Sequence, residues 1–188
     1  MFNKNIPQIG SLLISEPFML DPNFQRAVVL LCEHHPEDGT VGYVLNQPAV
    51  LQLSDVMDDV PNADFPLFFG GPVAQESIHF IHKCFDRLHS GVGLGNGLYW
   101  GGNFESLKIL IQNGDVAPDE IKFFIGYSGW SPGQLDNELK DNAWVISNHY
   151  NSDIAFVNDG ENLWKEAVVS LGPKYAHIVN FPQNPMWN

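Results

Sequence analysis

Gly126-Tyr127-Ser128-Gly129-Trp130 is the stretch of this sequence closest to a catalytic spelling. A serine nucleophile raised on a strand-to-helix turn is written G-x-S-x-G, the glycines giving the backbone room for a sharp bend. Here the fifth position is Trp130, so the spelling fails by one residue. The chemistry also requires a histidine base within hydrogen-bond reach and a third group to orient it. The structural alternative is a tight glycine turn, with Trp130 anchored in the core and Ser128 bonded to local backbone.

Cys32-Glu33-His34-His35, His79, His82 and Cys84 are zinc-ligand types. Zinc sites place such residues at short fixed spacings. Neither C-x2-C, H-x3-H nor H-E-x-x-H occurs, so no metal site is expected, and no other cofactor. The glycine run Gly91-Val92-Gly93-Leu94-Gly95-Asn96-Gly97 fits no G-x-G-x-x-G start and reads as a flexible surface loop.

Gly70-Gly71-Pro72 carries more weight. Two glycines at a strand end let backbone approach closely to a ligand or to another part of the chain. Bare N–H groups there can form an anion nest. Arg26 precedes a buried apolar run, and its planar fork suits a ligand carboxylate or phosphate, or an internal carboxylate such as Asp21. Arg26, Gly70, Gly71, Pro72 and Ser128 are therefore the candidate ligand-binding residues.

The elements that must position these residues follow from pattern. Gly10–Ser15, Ala27–Glu33 and Val41–Leu45 read as strands, the last two forming a hairpin through His35-Pro36-Glu37-Asp38-Gly39. A short helix near Ser54–Asp59 is stopped by Pro61. Leu67–Phe69, Ser77–Lys83, Leu98–Trp100, Ile121–Ile125, Ala143–Ser147 and Ile154–Val157 read as further strands. Asn103 caps a helix closed by Gly114, and Ser131-Pro132-Gly133-Gln134 spells a capping box. A last helix spans Gly160 to Leu171 and stops at Gly172-Pro173. The tail beyond Phe181, with Pro182 and Pro185, is expected along the surface. Hairpin-like neighbours with helices intermixed give α+β with a mostly antiparallel, mixed sheet.

Bulk properties narrow the function classes. The 188 residues suit one domain, and 44% hydrophobic and 12% aromatic residues are globular values. Net charge is −13, with only nine Lys and Arg spread singly along the chain. Phosphate binding works through clustered basic groups that release counterions, so direct nucleic-acid contact is not expected. No apolar run approaches the length of a membrane span, and nothing resembles an export signal. The cytoplasm, with Cys32 and Cys84 reduced, is the expected address.

Four stretches together resemble the YqgE/AlgH family of bacterial proteins. They are Gly10-Ser11-Leu12-Leu13-Ile14 through Pro17 and Asp21 to Phe24-Gln25-Arg26; Leu31-Cys32-Glu33-His34 with Gly39, Gly42 and Asn46-Gln47-Pro48; Phe69-Gly70-Gly71-Pro72-Val73; and Gly126-Tyr127-Ser128-Gly129-Trp130 with Pro132-Gly133-Gln134-Leu135 and Asn142-Ala143-Trp144. The resemblance implies one domain over residues 1–188, built on a strongly bent sheet folded partly into a barrel with helices outside. It implies no established activity, and the family name carries a transcriptional-regulator association.

Two readings stay open. The preferred one is a non-enzymatic binding or regulatory protein acting through protein or small-ligand contacts, its partner unknown. The alternative is a hydrolase with its site between the Gly70-Gly71-Pro72 and Gly126–Gly129 turns.

Overall fold

Strands dominate because β-branched and aromatic residues recur in short runs punctuated by glycine and proline. The structure, a computed structural model, describes residues 5–60 and 63–182. Its strands are β1 (Leu12–Ser15), β2 (Val28–His35), β3 (Gly39–Val44), β4 (Pro48–Gln52), β5 (Pro66–Phe69), β6 (Val73–His82), β7 (Val92–Gly95), β8 (Leu98–Trp100), β9 (Ile121–Trp130) and β10 (Trp144–Ser147). The helices are α1 (Leu53–Val56), α2 (Phe85–Leu88), α3 (Phe104–Asn113), α4 (Gln134–Lys140) and α5 (Gly160–Ser170), with 3-10 helices at Ser152–Phe156 and Ala176–Asn180.

The main path runs β10-β1-β2-β3-β9-β6-β8-β7, every neighbour antiparallel. β5 joins β9 in parallel and carries β4 on its outer side, so the sheet is mixed. The architecture is α+β, as expected. The path bends strongly without closing. Gly10, ahead of β1, stands against β7 from the far end of the path: a Cβ there would lie 1.9 Å from the Leu94 carbonyl oxygen. Only glycine permits that approach, and its φ of +82° is also one that side chains resist.

Three apolar clusters fill the layers. Leu30, Tyr43, Phe124 and Trp164 belong to the one inside the curl, under α5. Phe80, Phe123, Leu107 and Ile111 pack α3 onto the opposite face of β6 and β9. Trp130, Trp144 and Leu135 pack α4 over the β2 and β10 end. Asn103 caps α3 by accepting from the Ser106 N–H, and Gly114 closes it in the left-handed region, as its spelling predicts.

Several expectations are corrected. The glycine run is no loop: β7 pairs with β8, and Gly95-Asn96-Gly97, all at positive φ, make the hairpin turn. Ile154–Val157 is not a strand but the end of a 3-10 helix. Gln134 does reach back to the Ser131 N–H, yet α4 begins after Gly133, whose φ of +75° interrupts the expected start. α1 ends at Val56; Pro61, its expected stop, lies outside the described residues, as does Pro185.

Candidate functional site

The strand that carries Ser128 does not turn at Gly126. β9 continues to Trp130, and Gly126 sits within it at a φ of +67°. A Cβ on Gly126 would lie 2.7 Å from the carbonyl oxygens of both Gly71 and Val73. Opposite it, β6 makes an excursion: Val73 pairs with Tyr127, and the next pair is Ile78 with Ile125. Ala74, at a φ of +47°, is held in that excursion by Ser77, whose Oγ donates to the Ala74 carbonyl at 2.7 Å. His79 Nε2 lies 2.8 Å from the same Oγ. A carbonyl only accepts, so the serine proton goes to Ala74 and His79 must donate through Nε2. Burial lowers the His79 pKa, which keeps the imidazole neutral.

Gly70 and Gly71 interlock with β9. The Gly70 N–H donates to the Ile125 carbonyl, and its own carbonyl accepts from the Val44 N–H and from Ser128 Oγ, each at 2.9 Å. A Cβ on Gly71 would meet the Tyr127 carbonyl at 2.3 Å. Close approach is thus to another part of the chain, and the Gly70 N–H has no freedom to join an anion nest. Ser128 is fully buried, and its partner is remote backbone, not the local backbone expected. Pro72 is exposed on the outer side.

Arg26 does not join this group. It stands ahead of β2 at a φ of +48°, where Asn46 Nδ2 donates to its carbonyl at 2.7 Å. The guanidinium lies 4.9 Å from the Trp164 ring centroid, and Nη2 donates to the Phe181 carbonyl at 2.5 Å. Backbone and an aromatic face take the place of the expected Asp21 partner, because the C-terminal segment returns over α5.

At the other end of β2 the hairpin and β9 enclose a cleft of about 340 Å³. Glu33, His35 and Asp38 line it from the hairpin, Tyr127 and Gly129 from β9, and Val73 from β6. A bulge at Cys32 sets this arrangement: Leu31 pairs with Gly42 and Glu33 with Val41, leaving Cys32 as the extra residue. Cys32 is buried in the curl while Glu33 reaches the cleft, half-buried. In the core behind this strand, Tyr43 packs at a tilt between His79 and Phe124 at centroid distances of 5.3 and 5.1 Å, and its hydroxyl accepts from Trp100 Nε1.

Among the described residues, no three His, Cys, Asp or Glu side chains gather as a metal site. Cys84 Sγ is 3.6 Å from His82 Nδ1, while His82 Nε2 is 3.1 Å from the Gly101 carbonyl. That carbonyl fixes the proton on Nε2, so Nδ1 accepts from the thiol. Burial raises the thiol pKa and lowers that of the imidazole, so the pair is neutral.

Of the five residues expected to bind a ligand, Ser128 meets Gly70 through a hydrogen bond and Gly71 packs against the same strand, whereas Arg26 lies apart. Sequence reasoning missed Glu33, His35, Asp38 and Tyr127 as cleft residues. The available signal was Glu33, a carboxylate ending an otherwise apolar run.

An α+β protein on a curled, open sheet, with glycines interlocked behind a polar cleft, is the class these features define. The AlgH-like family model (DUF179) matches residues 12–176. A UPF0301 protein of Cytophaga hutchinsonii is 42% identical over 181 residues, covering 95% of this chain and 98% of that one. The solution structure of the AlgH protein from Pseudomonas aeruginosa superposes with a TM-score of 0.71 at 29% identity, covering 96% of this chain and 98% of that one. The crystal structure of DIP2367 from Corynebacterium diphtheriae shares the fold, with a TM-score of 0.78 at 22% identity over 95% of each chain. This chain belongs to the AlgH-like family. No helix among the described residues is long and apolar enough to cross a membrane.

Proposed function

We propose that this chain is a non-enzymatic binding protein with a regulatory role, acting in the cytoplasm as one domain through protein or small-ligand contacts at the Glu33–Tyr127 cleft. The observation that carries this reading is the Ser128 hydroxyl, buried and committed to the Gly70 carbonyl. A nucleophile needs its proton directed at a base, and here it is directed at backbone. The cleft in front of that junction holds open space, two carboxylates and an aromatic wall. With a net charge of −13 the chain repels nucleic acid, so regulation by direct DNA contact is not part of the proposal.

A photo-crosslinking residue at position 73 tests this in cells, with position 109 on the exposed face of α3 as control. A discrete crosslinked product from position 73 alone is expected. No product, or equal products from both positions, overturns the cleft as the contact surface.

The second reading, a hydrolase, draws on the 2.8 Å contact between Ser77 and His79 in the excursion that wraps Gly126. Its proton runs the wrong way for a base, from His79 towards Ser77. A fluorophosphonate probe separates the two readings. Labelling of Ser77 or Ser128 in the folded protein establishes the hydrolase; an unlabelled chain supports the binding protein.

A further inference from the structure

A second cavity, of about 200 Å³, lies between α5 and the sheet edge formed by β1 and β10. Ile14 and Val145 line it from the sheet, Trp164 and Val168 from α5, and Ile178 from the C-terminal 3-10 helix. The polar atoms bordering it are largely spent on the fold. Trp164 Nε1 donates to the Ser15 carbonyl at 3.1 Å, and Ser15 Oγ accepts from the Ala27 N–H at 2.9 Å. Water gains little from such walls: an engineered apolar cavity of about 150 Å³ stays dry and holds benzene.

A charged residue also lines the cavity. Glu16, half-buried, Asn142, exposed, and Tyr175, buried, are among its other lining residues. The Glu16 carboxylate has no ion pair among the described residues, and no Lys or Arg lines the cavity. Arg26 packs on Trp164 outside the lining, with Nη2 committed to the Phe181 carbonyl. The space therefore combines a largely apolar body, sized for one six-membered ring with a short tail, and a lining glutamate with no ion pair among the described residues.

We infer that this cavity is a binding site for a small arylalkylamine, its ring against Trp164 and Val168 and its ammonium at Glu16. Ring burial supplies the affinity, and the carboxylate sets the sign of the head group. The site is separate from the Glu33–Tyr127 cleft and stands or falls independently of it.

The test uses 2-phenylethylamine, ethylbenzene and phenylacetate, each titrated into the full chain and followed by the Trp164 indole N–H resonance, assigned with Trp164→Phe. The amine is expected to shift that resonance saturably, and Glu16→Gln to weaken its binding about tenfold, the loss of one part-exposed ion pair and its hydrogen bonds. Glu16→Gln keeps the shape of a half-buried side chain and removes only its charge, so the variant folds and the comparison holds. Equal binding of ethylbenzene, stronger binding of phenylacetate, or an unchanged affinity in Glu16→Gln overturns the amine assignment. A Trp164 resonance unmoved by all three compounds overturns the site itself.

Discussion

The hydroxyl of Ser128 donates to the carbonyl oxygen of Gly70 at 2.9 Å, joining β9 to the end of β5 across 58 positions of sequence. The same oxygen accepts the Val44 N–H, so one carbonyl gathers three segments. This is why a motif that looks catalytic serves as a fastener. Ser128→Ala should cost about 1–3 kcal/mol, the range for losing a buried hydrogen bond. Gly71→Ala should cost more, about 3–5 kcal/mol, because its Cβ has no room beside the Tyr127 carbonyl. Urea denaturation of both variants checks the order. A Ser128→Ala protein as stable as the parent would remove the fastening role.

Glu138 performs a similar task under α4. Its Oε2 accepts from the indole N–H groups of Trp130 and Trp144, at 2.9 and 2.7 Å, and its Oε1 from Gln134 Nε2. Both indoles are buried, so Glu138→Leu leaves two donors without this acceptor. A loss of about 2–3 kcal/mol is expected, with a shift in tryptophan emission, while Glu138→Gln keeps one acceptor and loses less. Denaturation followed by fluorescence reads both effects, and equal stability of the Leu and Gln variants would refute the shared-acceptor role.

These relationships mark where the sequence could be read and where it could not. Local chemistry was legible: Pro36 and Gly39 announce the β2–β3 hairpin, Asn103 and Gly114 bound α3, and the apolar spacing of Leu163, Trp164, Ala167 and Val168 gives α5 its buried face. Long-range pairing was not. The glycine run became β7 only because Tyr99 and Trp100 offer it a partner. β9 passes through Gly126 because β6 loops away to make room. The same limit governs the site. Gly70, Gly71 and Ser128 were recognisable as chain-shaping residues, whereas Glu33 enters the cleft through a bulge at Cys32 that no spelling announces.

Both cysteines are fully buried, in different apolar clusters, and burial raises both thiol pKa values. The thiolate is the reactive form, so neither should react in the folded chain. A thiol titration with Ellman's reagent is expected to find none in native buffer and two in denaturant. Rapid reaction of one thiol before unfolding would show that its cluster opens.

Lys122 is 2% exposed, and no carboxylate faces it in an ion pair among the described residues. Its Nζ donates to the carbonyls of Leu45 and Val157, at 3.0 and 2.8 Å, and lies 4.1 Å from the Phe68 ring centroid. Burial pulls its pKa down to about 7, while the carbonyls and the ring face favour the ammonium. In the unfolded chain the same group titrates near ~10.4. Between about pH 7 and ~10.4 the unfolded state therefore holds more protons on this residue than the folded one, and its contribution to stability rises with pH. The slope is at most about 1.4 kcal/mol per pH unit. Lys122→Met keeps the length, removes the titration and should flatten that rise. Urea unfolding at intervals from about pH 6 to ~9.5 compares the two proteins across the window of the shift. Parallel stability curves for the parent and Lys122→Met would mean that Lys122 stays protonated in the fold, held by its two carbonyls and the Phe68 ring.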